Sequence, residues 1–79
     1  MLPLPAGTDF GIYTLLDTLG HGGFAFVYLA RDKQLGRRVC IKEHAPEGIC
    51  ERDAESGEIV PLPGMERAFA ASLADFQRE

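Results

Sequence analysis

The 79-residue chain has no tryptophan, two cysteines and eight basic side chains against twelve acidic ones. Cys40 and Cys50 are too few for a disulfide scaffold, and their spacing fits no metal site. The net charge of −4 argues against a nucleic-acid binder held by phosphate contacts, which carries a basic excess. No apolar run is long enough to span a bilayer. The opening Met1-Leu2-Pro3-Leu4-Pro5 lacks the basic and long apolar regions of a signal peptide. These absences point to a cytoplasmic chain without metal, membrane or nucleic-acid partner. Repeats and low-complexity tracts are also missing.

What is present suits a small folded domain. Apolar residues make up 46% of the chain, with five Phe and two Tyr, so disorder by composition is excluded. A chain this short buries only about 60% of its unfolded surface. With no disulfide or metal to help, it reads as one piece of a larger fold. Residues 51–79 hold three basic and seven acidic side chains, which is the entire net charge, and suggest a solvated acidic face.

Residues 1–9 read as an extended Pro/Gly/Thr lead-in. Residues 10–43 read as a meander of three strands. Tyr13 to Leu19 is apolar with two Thr, Phe24 to Ala30 is aromatic and β-branched, and Arg38 to Lys42 puts Val39 and Ile41 on one side, Cys40 and Lys42 on the other. Residues 44–64 carry Pro46, Gly48, Pro61, Pro63 and Gly64 and read as an insertion. Within it, Ile49–Arg52 and Glu58–Leu62 flank the turn Ala54-Glu55-Ser56-Gly57 of a small hairpin. Residues 65–79 are rich in strong helix formers. At about 100° per residue, Met65, Phe69, Ser72, Leu73 and Phe76 form one apolar stripe. Glu79 falls on that stripe, where a buried carboxylate needs a partner.

The most informative stretch is Leu19-Gly20-His21-Gly22-Gly23-Phe24-Ala25-Phe26-Val27. Glycines clustered between apolar runs let backbone N–H groups approach a phosphate. No Lys-Ser/Thr follows at Walker A spacing. The glycines alone are compatible with a plain tight turn. Gly20-x-Gly22-x-x-Ala25 also fits a dinucleotide-binding turn, which would make Phe24–Arg37 a helix and Glu43 the ribose ligand. Phe-Ala-Phe-Val-Tyr favours a strand instead.

Several ordered features agree on a third reading. Gly20-x-Gly22-x-x-Ala25-x-Val27, followed by Tyr28-Leu29-Ala30-Arg31-Asp32, resembles the glycine-rich loop of protein kinases. Val39-Cys40-Ile41-Lys42-Glu43 resembles the kinase strand that carries the ATP-binding lysine. Pro5-Ala6-Gly7-Thr8 and Lys42-Glu43-His44-Ala45-Pro46 are similar to segments of bacterial serine/threonine kinases. The resemblance covers nearly the whole chain and implies a mostly antiparallel kinase N-lobe, α+β, of three to five strands and one helix equivalent to αC.

Within that resemblance, Leu19, Val27 and Cys40 are expected to roof the adenine. Gly20 and His21 lead into the loop, and the N–H groups from Gly22 through Gly23 and Phe24 to Ala25 lie over the phosphates. Lys42 holds the α- and β-phosphates and pairs with the helix glutamate, Glu79. Residues 44–64 lengthen the connection between them. Ala25 stands where the family has its third loop glycine, and its methyl is expected to restrict positive-φ conformations. The His-Arg-Asp and Asp-Phe-Gly motifs do not occur in the 79 residues. The catalytic aspartate, the Mg²⁺ ligands and the protein-substrate site are therefore expected on a C-lobe, and this piece alone is expected to be inactive. His21 and His44 read as solvated loop histidines. The apolar helix face and open cleft suggest self-association. An alternative of another class is a non-catalytic interaction module, or pseudokinase remnant, whose loop binds no nucleotide.

Overall fold

The computed structural model describes residues 1–78, so Glu79 lies outside the described residues. In chain order the elements are β1 (Asp9–Phe10), β2 (Tyr13–His21), β3 (Ala25–Asp32), β4 (Arg37–His44), β5 (Cys50–Arg52), β6 (Ile59–Pro61) and α1 (Glu66–Gln77). Strands β1 to β4 form one sheet in sequential order, and β5 and β6 form a separate two-stranded sheet. All pairings are antiparallel. The architecture is α+β, as the sequence implies.

The aromatic and β-branched run forms β3 rather than a helix. It pairs with β2 from Tyr13↔Asp32 to His21↔Phe26, with irregularities between Leu15 and Asp17 and between Thr18 and Gly20. This overturns the dinucleotide-binding alternative, because Phe24–Arg37 contains no helix. Reversal into β4 occurs at a turn where the buried Asp32 carboxylate accepts the Gln34 and Leu35 N–H groups at 2.9 and 3.0 Å. Gly36 completes that turn at φ 65°.

Period-two alternation decides which sheet face is core. Phe26, Tyr28 and Ala30 are buried and pack with Leu15, Ala45 and Cys50, joined by the half-buried Val39 and Ile41. Two segments outside the meander cover this face. The lead-in contributes Leu4 and the β5–β6 hairpin contributes Cys50 and Ile59. The hairpin turn is fixed by Asp53, whose carboxylate accepts the Glu55 and Ser56 N–H groups at 2.8 and 2.9 Å. On the opposite face, Val27 lies across from Lys42 and Leu29 across from Cys40.

Helix α1 starts without a side-chain cap at Met65, and the Glu66 carboxylate instead accepts the Gly64 N–H at 2.9 Å. Phe69, Ser72, Leu73 and Phe76 are half-buried as the periodicity requires, while Met65 is exposed. No residue of α1 is fully buried. His44 departs from the sequence reading. It is the last residue of β4 and is only 9% exposed, because α1 lies across it. No helix of the described residues is long and apolar enough to cross a membrane.

Candidate functional site

The glycine-rich reversal spans the gap between His21, which ends β2, and Ala25, which opens β3. The Gly22 N–H donates to the Ala25 carbonyl at 3.0 Å and closes the turn. The Gly23 and Phe24 carbonyls accept from the Glu47 and Ala45 N–H groups at 2.9 and 2.7 Å, which anchors the loop tip to the segment after β4. Turning the carbonyls into the protein leaves the N–H groups of Gly23 and Phe24 without hydrogen-bond partners among the described residues. Gly20, Gly22 and Gly23 do not adopt positive φ, and a Cβ built on any of them meets no atom within 4 Å. Glycine here leaves room above the backbone rather than enabling a left-handed turn. The expected constraint from the Ala25 methyl therefore does not arise: Ala25 sits in β3 with ordinary strand geometry.

Beneath this loop lies a cavity of about 570 Å³. The loop supplies Gly22, Gly23, Phe24 and Ala25, and the sheet supplies Val27, Lys42 and His44. Helix α1 closes the far side with Ser72, Asp75 and Phe76. Strand alternation places Lys42 here, since Glu43 beside it points into the core face. Lys42 is exposed and forms no ion pair among the described residues. The volume falls in the range typical of small-molecule sites, and the lining includes one lysine and the two loop residues whose backbone N–H groups are unpaired among the described residues.

Lys42 and Glu43 have separate roles despite their adjacency. The Glu43 carboxylate takes a two-pronged contact from Arg52, Nη2 to Oε1 at 2.8 Å and Nη1 to Oε2 at 3.0 Å. It also accepts the Tyr28 hydroxyl at 2.7 Å. Glu43 is thus a structural acid, and the ribose role offered by the dinucleotide reading is excluded.

The other residues named from sequence lie around the cavity rather than in its lining. Cys40 is exposed two residues before Lys42 on the same face, across from Leu29. Gly20 is paired with Val27, and Leu19 is exposed within the irregularity of β2. His21 is exposed and packs its ring against Phe26 at 5.7 Å between centroids. Glu79, the expected partner of Lys42, lies outside the described residues. Sequence reasoning did not assign His44, Ser72, Asp75 or Phe76 to the site. A signal existed for three of them: His44 continues the Cys40–Lys42 parity, and Ser72 and Phe76 share the helix stripe.

A solved structure described as PpkA-294 in its apo form, from a bacterial serine/threonine kinase, matches this chain with a TM-score of 0.89 at 32% sequence identity. The match covers 96% of this chain and 27% of that one. The chain has the N-lobe fold of a bacterial serine/threonine kinase. It spans about a quarter of the length of the kinase it matches. No family model and no curated protein matches it. In this N-lobe, the loop, the Lys42 strand and α1 are the three elements that wall the cavity.

Proposed function

We propose that this N-lobe is the ATP-binding half of a kinase that transfers the γ-phosphate to protein serine or threonine. The observation that carries the reading is the combination of open glycine backbone, two unpaired N–H donors and Lys42 around one cavity. The residues present fit a nucleoside triphosphate. Gly23 and Phe24 would bind its phosphates through the backbone, and Lys42 would neutralise them. Val27, Leu29 and Cys40 would offer the adenine an apolar roof, with Leu19 at its edge. Bound ATP supplies the transferable phosphoryl group. This chain's residues contribute orientation and charge, which is most of what phosphoryl transfer asks of a protein. The catalytic aspartate, Mg²⁺ and the protein substrate belong to a C-lobe, and the cytoplasm is the compartment that provides ATP.

Because this chain walls the nucleotide from one side, its affinity for ATP is expected near millimolar, about −4 kcal/mol. Titration of ATP into the chain, followed by backbone NMR, should shift Gly23 and Phe24 first. Lys42→Met should abolish those shifts and leave the melting temperature unchanged, because Lys42 is exposed. Unaltered ATP shifts in Lys42→Met would reject the assignment. A complete absence of ATP-induced shifts in the native chain up to tens of millimolar would favour the interaction-module reading.

A further inference from the structure

His44 stands at the junction of β4 and α1. Its imidazole lies against Phe69 and Phe76, at 5.2 and 5.1 Å between ring centroids, and its Nε2 is 2.8 Å from the Ser72 hydroxyl. This is the one hydrogen bond from α1 to the sheet among the described residues. The helix has no fully buried residue, so its docking depends on few contacts. The same imidazole lines the 570 Å³ cavity with Lys42, two residues away on the same face.

We propose that His44 is the positioning residue that holds α1 across the cleft from Lys42, and that it does so as a neutral imidazole, so that acidification releases the helix and opens the cleft. That the opened space is a nucleotide cleft rests on the function proposed above; the docking of α1 by His44 does not.

The hydrogen-bond inventory gives the reason. A neutral imidazole has one donor and one acceptor, and the charged form has two donors. Nε2 is satisfied by Ser72, but Nδ1 is buried with no partner. An unpaired neutral nitrogen is a modest cost, and an unpaired N–H of a cation enclosed by two phenyl rings is a larger one. The charged groups around the ring do not offset it: Lys42 on β4 opposes a second positive charge, Asp75 on α1 pairs with Arg78 at 3.4 Å, and the loop from Gly22 to Val27 contributes none. Burial accordingly holds the His44 pKa below its ordinary value of 6.5. Since the docked state disfavours the proton, docking is fully stabilised above pH 6.5 and is lost as pH falls through the lowered value.

The test is a pH titration of this chain from 8 to 5 by NMR, with no nucleotide present. In the native chain the His44 ring signal and the Phe69, Ser72 and Phe76 amides should move with one shared midpoint below 6.5, and the Gly23 and Phe24 amides should follow. His44→Phe keeps an aromatic ring against both phenylalanines and removes the titration, so the helix amides should then stay fixed over the same range. Asp75→Asn should leave the midpoint in place within a few tenths of a unit, and this comparison decides the matter if His44→Phe fails to fold. Helix amides that do not respond to the His44 titration, a transition retained in His44→Phe, or one removed by Asp75→Asn would each overturn the proposal. Loss of ATP binding in Lys42→Met leaves this outcome untouched, so the two readings fail separately.

Discussion

Glu43 and Arg52 join the lysine strand to the hairpin by a two-pronged ion pair whose side chains are 20% and 17% exposed. The pair is the centre of a larger clamp. Arg52 also donates to the Gly57 carbonyl at 2.7 Å and to the Leu2 carbonyl at 3.0 Å, and it lies over the Phe26 ring. Tyr28 donates to Glu43 and accepts the Leu4 N–H at 2.9 Å. Lead-in, sheet and hairpin are therefore tied at one point directly behind Lys42. The residues between β4 and α1 act as a cover for the core face and hold the strand that presents Lys42.

Arg52→Ala should consequently cost more than loss of a surface pair. Exposed ion pairs contribute about 1 kcal/mol or less, and removing one partner of a fully buried pair costs about 3–5 kcal/mol. The partial exposure here sets an expectation of about 2–3 kcal/mol, between those limits. Urea unfolding would measure it. Glu43→Gln should be milder than Glu43→Ala, because the amide oxygen still accepts from Tyr28. In a double-mutant cycle, Arg52→Ala and Glu43→Ala should be clearly non-additive. Additive costs would mean that the two side chains act independently.

Tyr28→Phe isolates the other arm of the clamp. The ring stays packed, and the loss is one hydroxyl serving two partners, worth about 1–2 kcal/mol. Exchange of the Leu4 amide should quicken most, since that N–H loses its acceptor. The same hydroxyl predicts alkaline sensitivity. Burial, the largest cause, raises the Tyr28 pKa above 10.0 in the folded chain. The neutral phenol is the form that folding favours. Stability from this group is complete below pH 10.0 and declines as pH rises through the folded value. Tyr28→Phe should flatten that decline in thermal melts between pH 9 and 11.

The meander was legible because its cues are local. The aromatic run of β3, the parity of Val39 and Ile41 against Cys40 and Lys42, and the glycines between them each carry their meaning within a few residues. The hairpin was located for the same reason, since Asp53 to Gly57 form a self-contained turn. The Phe69–Phe76 stripe followed from helical periodicity. His44 was misread because the groups that bury it, Phe69, Ser72 and Phe76, lie at least 25 residues downstream. Sequence gave the parity of His44 but not which helix face would cross it. The role of Glu43 was hidden likewise, since one arginine in a loop-rich stretch gives no sign of folding back onto β4. The loop donors were legible only as a group. Selecting Gly23 and Phe24 over Gly22 required knowing that Gly22 closes the turn.

The hairpin turn should be acid-labile in a defined way. Hydrogen bonds from the Ser56 and then the Glu55 backbone hold the Asp53 pKa below 3.8. The carboxylate form is therefore the one the turn favours, and its contribution is present above pH 3.8 and lost as pH falls through the lowered value. Asp53→Asn keeps an acceptor oxygen without the charge, and should preserve the turn while removing that pH dependence. Amide exchange at Glu55 and Ser56 between pH 5 and 2.5 would report it. Equal acid sensitivity in Asp53→Asn would place its origin elsewhere.

Two classes of glycine in this chain should respond oppositely to substitution. Gly36 sits at φ 65° in the β3–β4 turn, so a side chain there is strained even though the space around it is open. Gly36→Ala should cost about 1–2 kcal/mol of stability. It should leave the ATP-induced shifts at Gly23 and Phe24 intact, because this turn is at the opposite end of β3 from the glycine-rich loop. Gly23 has no positive φ, and a Cβ there meets nothing within 4 Å. Gly23→Ala should therefore change stability by no more than about 0.5 kcal/mol. If the empty space above the loop is where phosphates lie, Gly23→Val, whose branched side chain fills more of it, should weaken ATP binding more than Gly23→Ala. Thermal melts and ATP titrations of the three variants would separate the two effects. A Gly23→Val chain that binds ATP normally would show that the space above the loop is not used, and the glycines would then be explained by the tight turn alone.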